Sequence, residues 1–197
     1  MKKNNIGKNF SLDSIRRLTL YLRNLRKIKK QGIEVISSDK ITRLLNVTPS
    51  QFRKDLSYFG EFGKRGVGYN VAFLIEEIQK IVGSHIDWNI ALVGLGKLGG
   101  ALLGFEGFSK FNIKIKAVFD SDKKKIGKIK NGIMIEAVDS LRELIKKNKI
   151  KVAIISTPPE VAQNIAEQLI DSGVKGILNF APVVLKVPDN IFVSNVD

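Results

Sequence analysis

Cysteine is absent from the 197-residue chain. No disulfide framework, thiolate metal site or thiol nucleophile is available, and redox state cannot be read through cysteine oxidation or a cysteine-held iron–sulfur cluster. Histidine is nearly absent as well. His85 stands alone, so no transition-metal site is expected, and it reads as decoration of a linker. No run reaches the roughly 18 apolar residues that cross a bilayer, and no apolar stretch of signal-peptide length follows the basic opening MKKNNIGKNF. Together these absences predict a cytoplasmic protein without a membrane partner.

Charge of one sign is what the chain has in excess. Lys and Arg number 33 against 19 acids, a net charge of +14. Residues 1–84 hold 17 of the bases and 7 of the acids, whereas residues 85–197 hold 16 and 12. A polyanion is the expected partner, double-stranded DNA before an anionic surface, and the N-terminal part is the expected place for it.

From Ser11, apolar residues at 12, 15, 18, 22, 25 and 28 recur at helical spacing until Gly32. A second helix is expected over Ser38–Leu45. A third starts at Thr48-Pro49-Ser50-Gln51, where Thr48 caps and Gln51 completes a capping box. Glycines at 60, 63, 66 and 68 then interrupt, with Lys64 and Arg65 between them, and Asn70 caps a helix over Val71–Val82. Three helices, a basic glycine ribbon and a fourth helix predict a winged-helix domain over 1–84. Beyond Asp87, strands alternate with helices: strands at Asn89–Val93, Lys114–Phe119, near Ile133–Ile135, Val152–Ser156, Gly176–Asn179 and Ile191–Ser194, with helices opening after Gly96, over Ser140–Lys147 and over Glu160–Ser172. That alternation predicts an α/β, doubly wound parallel sheet of Rossmann type over 85–197.

Gly94-Leu95-Gly96-Lys97-Leu98-Gly99 follows the first of these strands and opens a helix, and Asp120 ends the next strand. Glycine at the first two positions lets the backbone turn and approach a pyrophosphate, the third allows close helix packing, and the acid suits a ribose 2′-hydroxyl. Asp120 would repel a 2′-phosphate, which favours NADH and NAD+ over their phosphorylated forms. Lys123, Lys124 and Lys125 read as a solvated loop. Thr157-Pro158 and Asn179-Phe180-Ala181-Pro182 follow the fourth and fifth strands at their carboxyl ends, where cofactors sit in open sheets. On the third helix Gln51, Arg53, Lys54 and Tyr58 are candidates for a DNA groove, with Ser50 on phosphate. Lys64, Arg65, Gly66 and Gly68 of the ribbon would approach a minor groove or the phosphates.

The segment Arg53-Lys54-Asp55-Leu56-Ser57-Tyr58-Phe59-Gly60-Glu61-Phe62-Gly63-Lys64-Arg65-Gly66-Val67-Gly68-Tyr69-Asn70-Val71, with Gly173-Val174-Lys175-Gly176-Ile177-Leu178-Asn179-Phe180-Ala181-Pro182, closely resembles the Rex family of redox-sensing transcriptional repressors. The resemblance implies a homodimer that binds operator DNA through winged helices, Tyr69 among the contacts, and is released when NADH occupies the Rossmann domains. Phe105 stands where the family usually has Tyr, and Lys123 where its Asp-x-Asp segment is followed by Pro. The family also implies a C-terminal helix exchanged between subunits beyond Val196-Asp197.

An oxidoreductase needs an acid or base at the nicotinamide and a substrate pocket, so a dehydrogenase-like enzyme is the weaker expectation, and a coenzyme A binding protein leaves the basic N-terminus unexplained. With cysteine gone, the nicotinamide couple is the expected redox signal. Burying its ring among Pro158, Phe180 and Ala181 would cost the cationic oxidised form more than the neutral reduced one.

Overall fold

A side chain caps the start of each of the first four helices. Ser11 accepts the Ser14 N–H at 3.2 Å and opens α1 (Leu12–Lys30); Ser37 accepts that of Lys40 at 3.3 Å and opens α2 (Ser38–Thr42). Thr48 accepts that of Gln51 at 3.1 Å before α3 (Pro49–Ser57), and Asn70 that of Phe73 at 2.9 Å before α4 (Val71–Ile81). Each bond satisfies a donor that the helix itself leaves free. The computed structural model describes residues 11–64 and 66–196, and the chain divides into two units, Met1–His85 and Ile86–Asp197.

In the first unit, β1 (Val35–Ile36), β2 (Gly63–Lys64) and β3 (Gly68–Asn70) form an antiparallel sheet in the order β1-β3-β2. Gly68 has φ +104°, and a Cβ there would lie 2.6 Å from the Ile36 carbonyl oxygen, so only glycine lets β3 lie against β1. Phe52 of α3 is fully buried, its ring edge-on to Tyr21 at 4.9 Å and to Tyr69 at 5.3 Å. Leu18, Leu22, Leu25, Leu74 and Ile78 belong to the same core. The unit is a winged helix, with α2 and α3 as its helix-turn-helix. α2 stops at Thr42, short of the expected Leu45, and the chain passes into the turn over residues 43–46.

The second unit runs β4 (Trp88–Val93), α5 (Lys97–Leu103), β5 (Ile113–Asp120), β6 (Ile129–Lys130), β7 (Ile133–Ala137), α6 (Leu141–Lys147), β8 (Val152–Ile155), α7 (Pro159–Asp171), β9 (Gly176–Asn179) and β10 (Phe192–Asn195). Its sheet has the order β10-β9-β8-β4-β5-β7-β6, parallel except for β6 on β7. Setting β6 aside, this is the Rossmann order, with the chain reversing its direction of travel between β4 and β8. Alternate residues divide between the two faces. Ala91, Val93, Phe119 and Ile155 pack with α6 and α7, while Ile90, Leu92, Val118 and Ile154 pack with Leu103 of α5. α5 ends at Leu103, and a 3-10 turn over Glu106–Phe111 follows Gly104 and Phe105.

Candidate functional site

The exposed face of α3 carries Ser50, Arg53 and Lys54, with Gln51 half-buried, and the half-buried Tyr58 follows its last residue. Arg53 donates from Nη1 to Ser38 Oγ at 2.9 Å, which ties its guanidinium to the start of α2. Lys64 and Gly66 are exposed on the ribbon, and Tyr69 is half-buried behind them. Arg53, Lys64, Gly66 and Tyr69 border one groove of about 610 Å³ together with Ser37 and Ser38. Arg65 lies outside the described residues.

Beneath this face sits an ionic network that the sequence did not announce. Asp55 is fully buried and accepts from Arg17 Nε at 2.6 Å, Arg17 Nη2 at 2.7 Å, Tyr21 Oη at 2.7 Å and Gln51 Nε2 at 2.9 Å. Burial alone would raise the Asp55 pKa, but the bonds from Arg17, Tyr21 and Gln51 outweigh it and hold the carboxyl below its usual range. Burial, then the Asp55 carboxylate, pushes the Tyr21 hydroxyl well above its ordinary value. Gln51 therefore spends its amide on Asp55. The expected capping box is only half made: Thr48 caps, and Gln51 does not reach back.

In the second unit a crevice of about 500 Å³ opens at the carboxyl ends of β4, β5 and β8, at the point where the strand order reverses. Gly94, Leu95, Gly96, Asp120, Thr157 and Pro158 line it. Gly94 has φ +93°, and a Cβ there would lie 2.6 Å from the Ser156 carbonyl oxygen. A Cβ on Gly99 would collide with the Gly94 carbonyl oxygen, so Gly99 serves the packing of α5 on the loop. Gly96 differs from both. Its φ is −74°, and a Cβ would meet no atom of the chain within 4 Å. Neither conformation nor packing demands glycine there, which leaves room for a bound group as the reason. The Thr157 hydroxyl oxygen in the same crevice is buried with no hydrogen-bond partner. An open glycine and an unsatisfied buried hydroxyl are what a ligand carrying both phosphate and hydroxyl groups would fill.

Asp120 is 7% exposed, and its carboxylate is already in use. Oδ2 accepts the Leu95 N–H at 2.7 Å and Lys125 Nζ at 3.0 Å, and Oδ1 accepts the Asp122 N–H at 2.8 Å. Burial would raise its pKa, but these three donors keep it lowered. A carboxylate offers about four acceptor positions, so one remains for a ribose hydroxyl. Lys125 is thus not part of a solvated loop: it is paired with Asp120 and borders the crevice, whereas Lys123 and Lys124 are exposed.

The remaining expected cofactor residues are not among those that line the crevice. Lys97 and Leu98 are exposed on α5 and Gly99 is buried. Asn179 is 1% exposed and turned inward: its amide donates to Ala181 O, Val183 O and Asn195 Oδ1, and its oxygen accepts the Ala181 N–H. Asn179 therefore pins the segment after β9. Ala181 joins the core on the α6–α7 face, Phe180 packs on the opposite face, and Pro182 is exposed. The apolar wall of the crevice comes instead from Val138, Val161 and Ile165, beside Pro158, with Asn164 and Gln168 as polar neighbours. Positions 161, 164, 165 and 168 share one face of α7, and that helical spacing was the available signal.

Residues 10–57 match the family of putative DNA-binding protein N-termini, and residues 85–183 that of CoA binding domains. The redox-sensing transcriptional repressor Rex of Syntrophobacter fumaroxidans is 47% identical over 185 residues, 93% of this chain and 88% of its own. That of Desulfitobacterium hafniense is 50% identical over 184 residues, with the same coverage. The chain belongs to the Rex family. RSP, a Rex-family repressor, has been solved in complex with beta-NAD+ and operator DNA; that structure aligns at a TM-score of 0.92 and 36% identity over 96% of this chain and 88% of its own. RSP in complex with beta-NADH aligns at 0.86 and 34%, over 97% and 89%. These Rex relatives are named as repressors, not as enzymes.

Of the positions where the sequence departs from the Rex pattern, Phe105 is 58% exposed and edge-on to Phe108 at 5.3 Å, and Lys123 is exposed. Asp197 lies outside the described residues. Among the described residues no His, Asp and Glu side chains gather in a group fit to hold a metal ion, and no helix is long and apolar enough to cross a membrane.

Proposed function

We propose that this chain is a cytoplasmic, non-catalytic repressor that holds operator DNA as a homodimer and lets go when NADH fills the crevice at Gly96. The observation that carries the reading is the pairing, in one Rex-family chain, of an exposed basic recognition helix with a crevice whose open glycine and unpartnered Thr157 hydroxyl await a ligand. Arg53, Lys54 and Ser50 of α3 meet the major groove and its phosphates, and Lys64, Arg65 and Gly66 of the ribbon, with Tyr69 behind, meet the adjacent backbone or minor groove. Gly94, Leu95 and Gly96 admit the pyrophosphate, the free acceptor position of Asp120 receives a ribose hydroxyl, and Thr157 and Pro158 border the rest. The couple supplies the signal, since its oxidised ring is cationic and its reduced ring neutral. Val138, Pro158, Val161 and Ile165 give the crevice an apolar wall, against which the cationic ring loses more hydration than the neutral one. Operator affinity measured by fluorescence anisotropy at fixed salt tests the reading: NADH should lower it more than NAD+, and an affinity indifferent to saturating NADH would overturn it.

One observation favours a second reading. The crevice unit matches the CoA binding domains, and Lys123, Lys124 and Lys125 place positive charge beside Asp120, where coenzyme A would bring an additional phosphate. Titration of each ligand against the chain by calorimetry separates the two, with NADH expected to bind and coenzyme A not.

A further inference from the structure

We infer that Gln51 reads an adenine in the major groove, and that Asp55, gripped by Arg17 and Tyr21, decides which edge of the Gln51 amide faces the DNA. The inference rests on the placement of α3 against operator DNA proposed above.

An ionised carboxylate can only accept hydrogen bonds. Gln51 Nε2 lies 2.9 Å from Asp55 Oδ1, and turning the amide over would set Oε1 against that carboxylate, acceptor against acceptor. The NH2 group therefore faces Asp55 and spends one hydrogen there. What remains on the half-exposed side is Oε1 and the second N–H, an acceptor beside a donor. Adenine offers the complement in the major groove, its N6 donor beside its N7 acceptor, whereas guanine offers two acceptors and would leave Oε1 opposed. Gln51 stands third in α3, within the first turn, and N-terminal residues of a recognition helix are the ones that reach base edges.

Arg17 and Tyr21 are positioning residues in this scheme. The Arg17 fork covers both Asp55 oxygens and Tyr21 supplies a third donor, so the carboxylate cannot rotate to release the amide. Both come from α1, which makes the orientation of a reading side chain on α3 depend on a neighbouring helix.

The test uses the full chain. Duplexes are selected from a randomised pool, and affinity is then measured on the selected site with each adenine replaced in turn by 7-deaza-adenine, which lacks the N7 acceptor. One adenine per half-site should respond, with several-fold weaker binding by the wild type and no change in Gln51→Ala. Exchange of that A·T pair for G·C should cost the wild type roughly 5- to 150-fold and Gln51→Ala little. Tyr21→Phe, which removes one donor from Asp55 and keeps the ring, should soften the preference at that base pair alone. Asp55→Asn should abolish it while binding to random duplex persists; should that variant fail to fold, the Gln51→Ala and Tyr21→Phe results decide. Tolerance of N7 loss at every adenine, or equal losses in wild type and Gln51→Ala, would overturn the inference while leaving α3 as the DNA helix. A pool that yields no enriched sequence would instead remove the placement of α3, and this inference with it.

Discussion

Gly94, Gly96 and Gly99 show how one pattern holds three different requirements. Gly96→Ala places a methyl group in open space, so melting should be unchanged, while NADH affinity measured by fluorescence titration should fall on the order of tenfold. Gly99→Ala drives a methyl group into the Gly94 carbonyl and should cost roughly 1–3 kcal/mol of stability before any ligand is added. The spacing of these glycines was legible in the sequence because turn and helix start are local. The commitments of Asp120 were not, because Lys125 reaches it only after the chain has wrapped around Ser121 and Asp122. Asp120→Ala removes one ribose acceptor and also frees the Leu95 N–H and Lys125, so NADH should weaken without being lost and NADPH should gain relative to it; competition titration measures the ratio. Asp55 carries a pH signature. Its folded pKa is lowered, so its stabilisation is present above the ordinary value of about 4 and is lost as pH falls through the lowered one. Tyr21 is raised, so its contribution is present below about pH 10 and declines above it. Acid and alkaline unfolding followed by tyrosine circular dichroism should show both limbs, and Asp55→Asn should flatten the acid one.

At the scale of elements, the starts of helices were readable and the shortest strands were not. Ser11, Thr48 and Asn70 each accept a bond from three residues ahead, so a short window of sequence contains the whole interaction. Asn70→Ala should lower stability by about 1 kcal/mol, seen as a melting shift of the first unit, because nothing else reaches the Phe73 N–H. β1 and β2 are two residues long and exist by pairing with β3, which for β1 joins Val35 to Asn70 and Ile36 to Tyr69 from far along the chain, so no local periodicity marks them. β6 was overlooked although its turn is written in the sequence: Asn131 and Gly132 have φ of +49° and +75°, the hairpin conformation that Asn-Gly favours. The inward direction of the Asn179 side chain escaped the sequence for the opposite reason. Position at a strand end placed it correctly along the chain, but side-chain direction depends on β10, which arrives later and takes its amide.

For the molecule as a whole, the excess charge sits with the winged helix and the ligand crevice with the other unit, so any communication between them is a coupling free energy between two sites. Such coupling is reciprocal. If NADH weakens operator binding by some factor, roughly 5 to 150 for a coupling of about 1–3 kcal/mol, saturating operator must weaken NADH by the same factor. Operator binding with and without saturating NADH, and NADH binding with and without saturating operator, measure the factor at one salt concentration, and a factor of one in both series would show that the two sites are uncoupled. The position of Trp88 has a practical bearing here. It is the only tryptophan and opens β4, whose far end leads into Gly94, a span of roughly 20 Å at strand rise. Reduced nicotinamide absorbs where indole emits and the oxidised form does not, so the chain contains its own unlabelled optical ruler. Quenching of Trp88 emission should accompany NADH alone, while all three tyrosines, at 21, 58 and 69, belong to the first unit and leave the indole signal to report on the second.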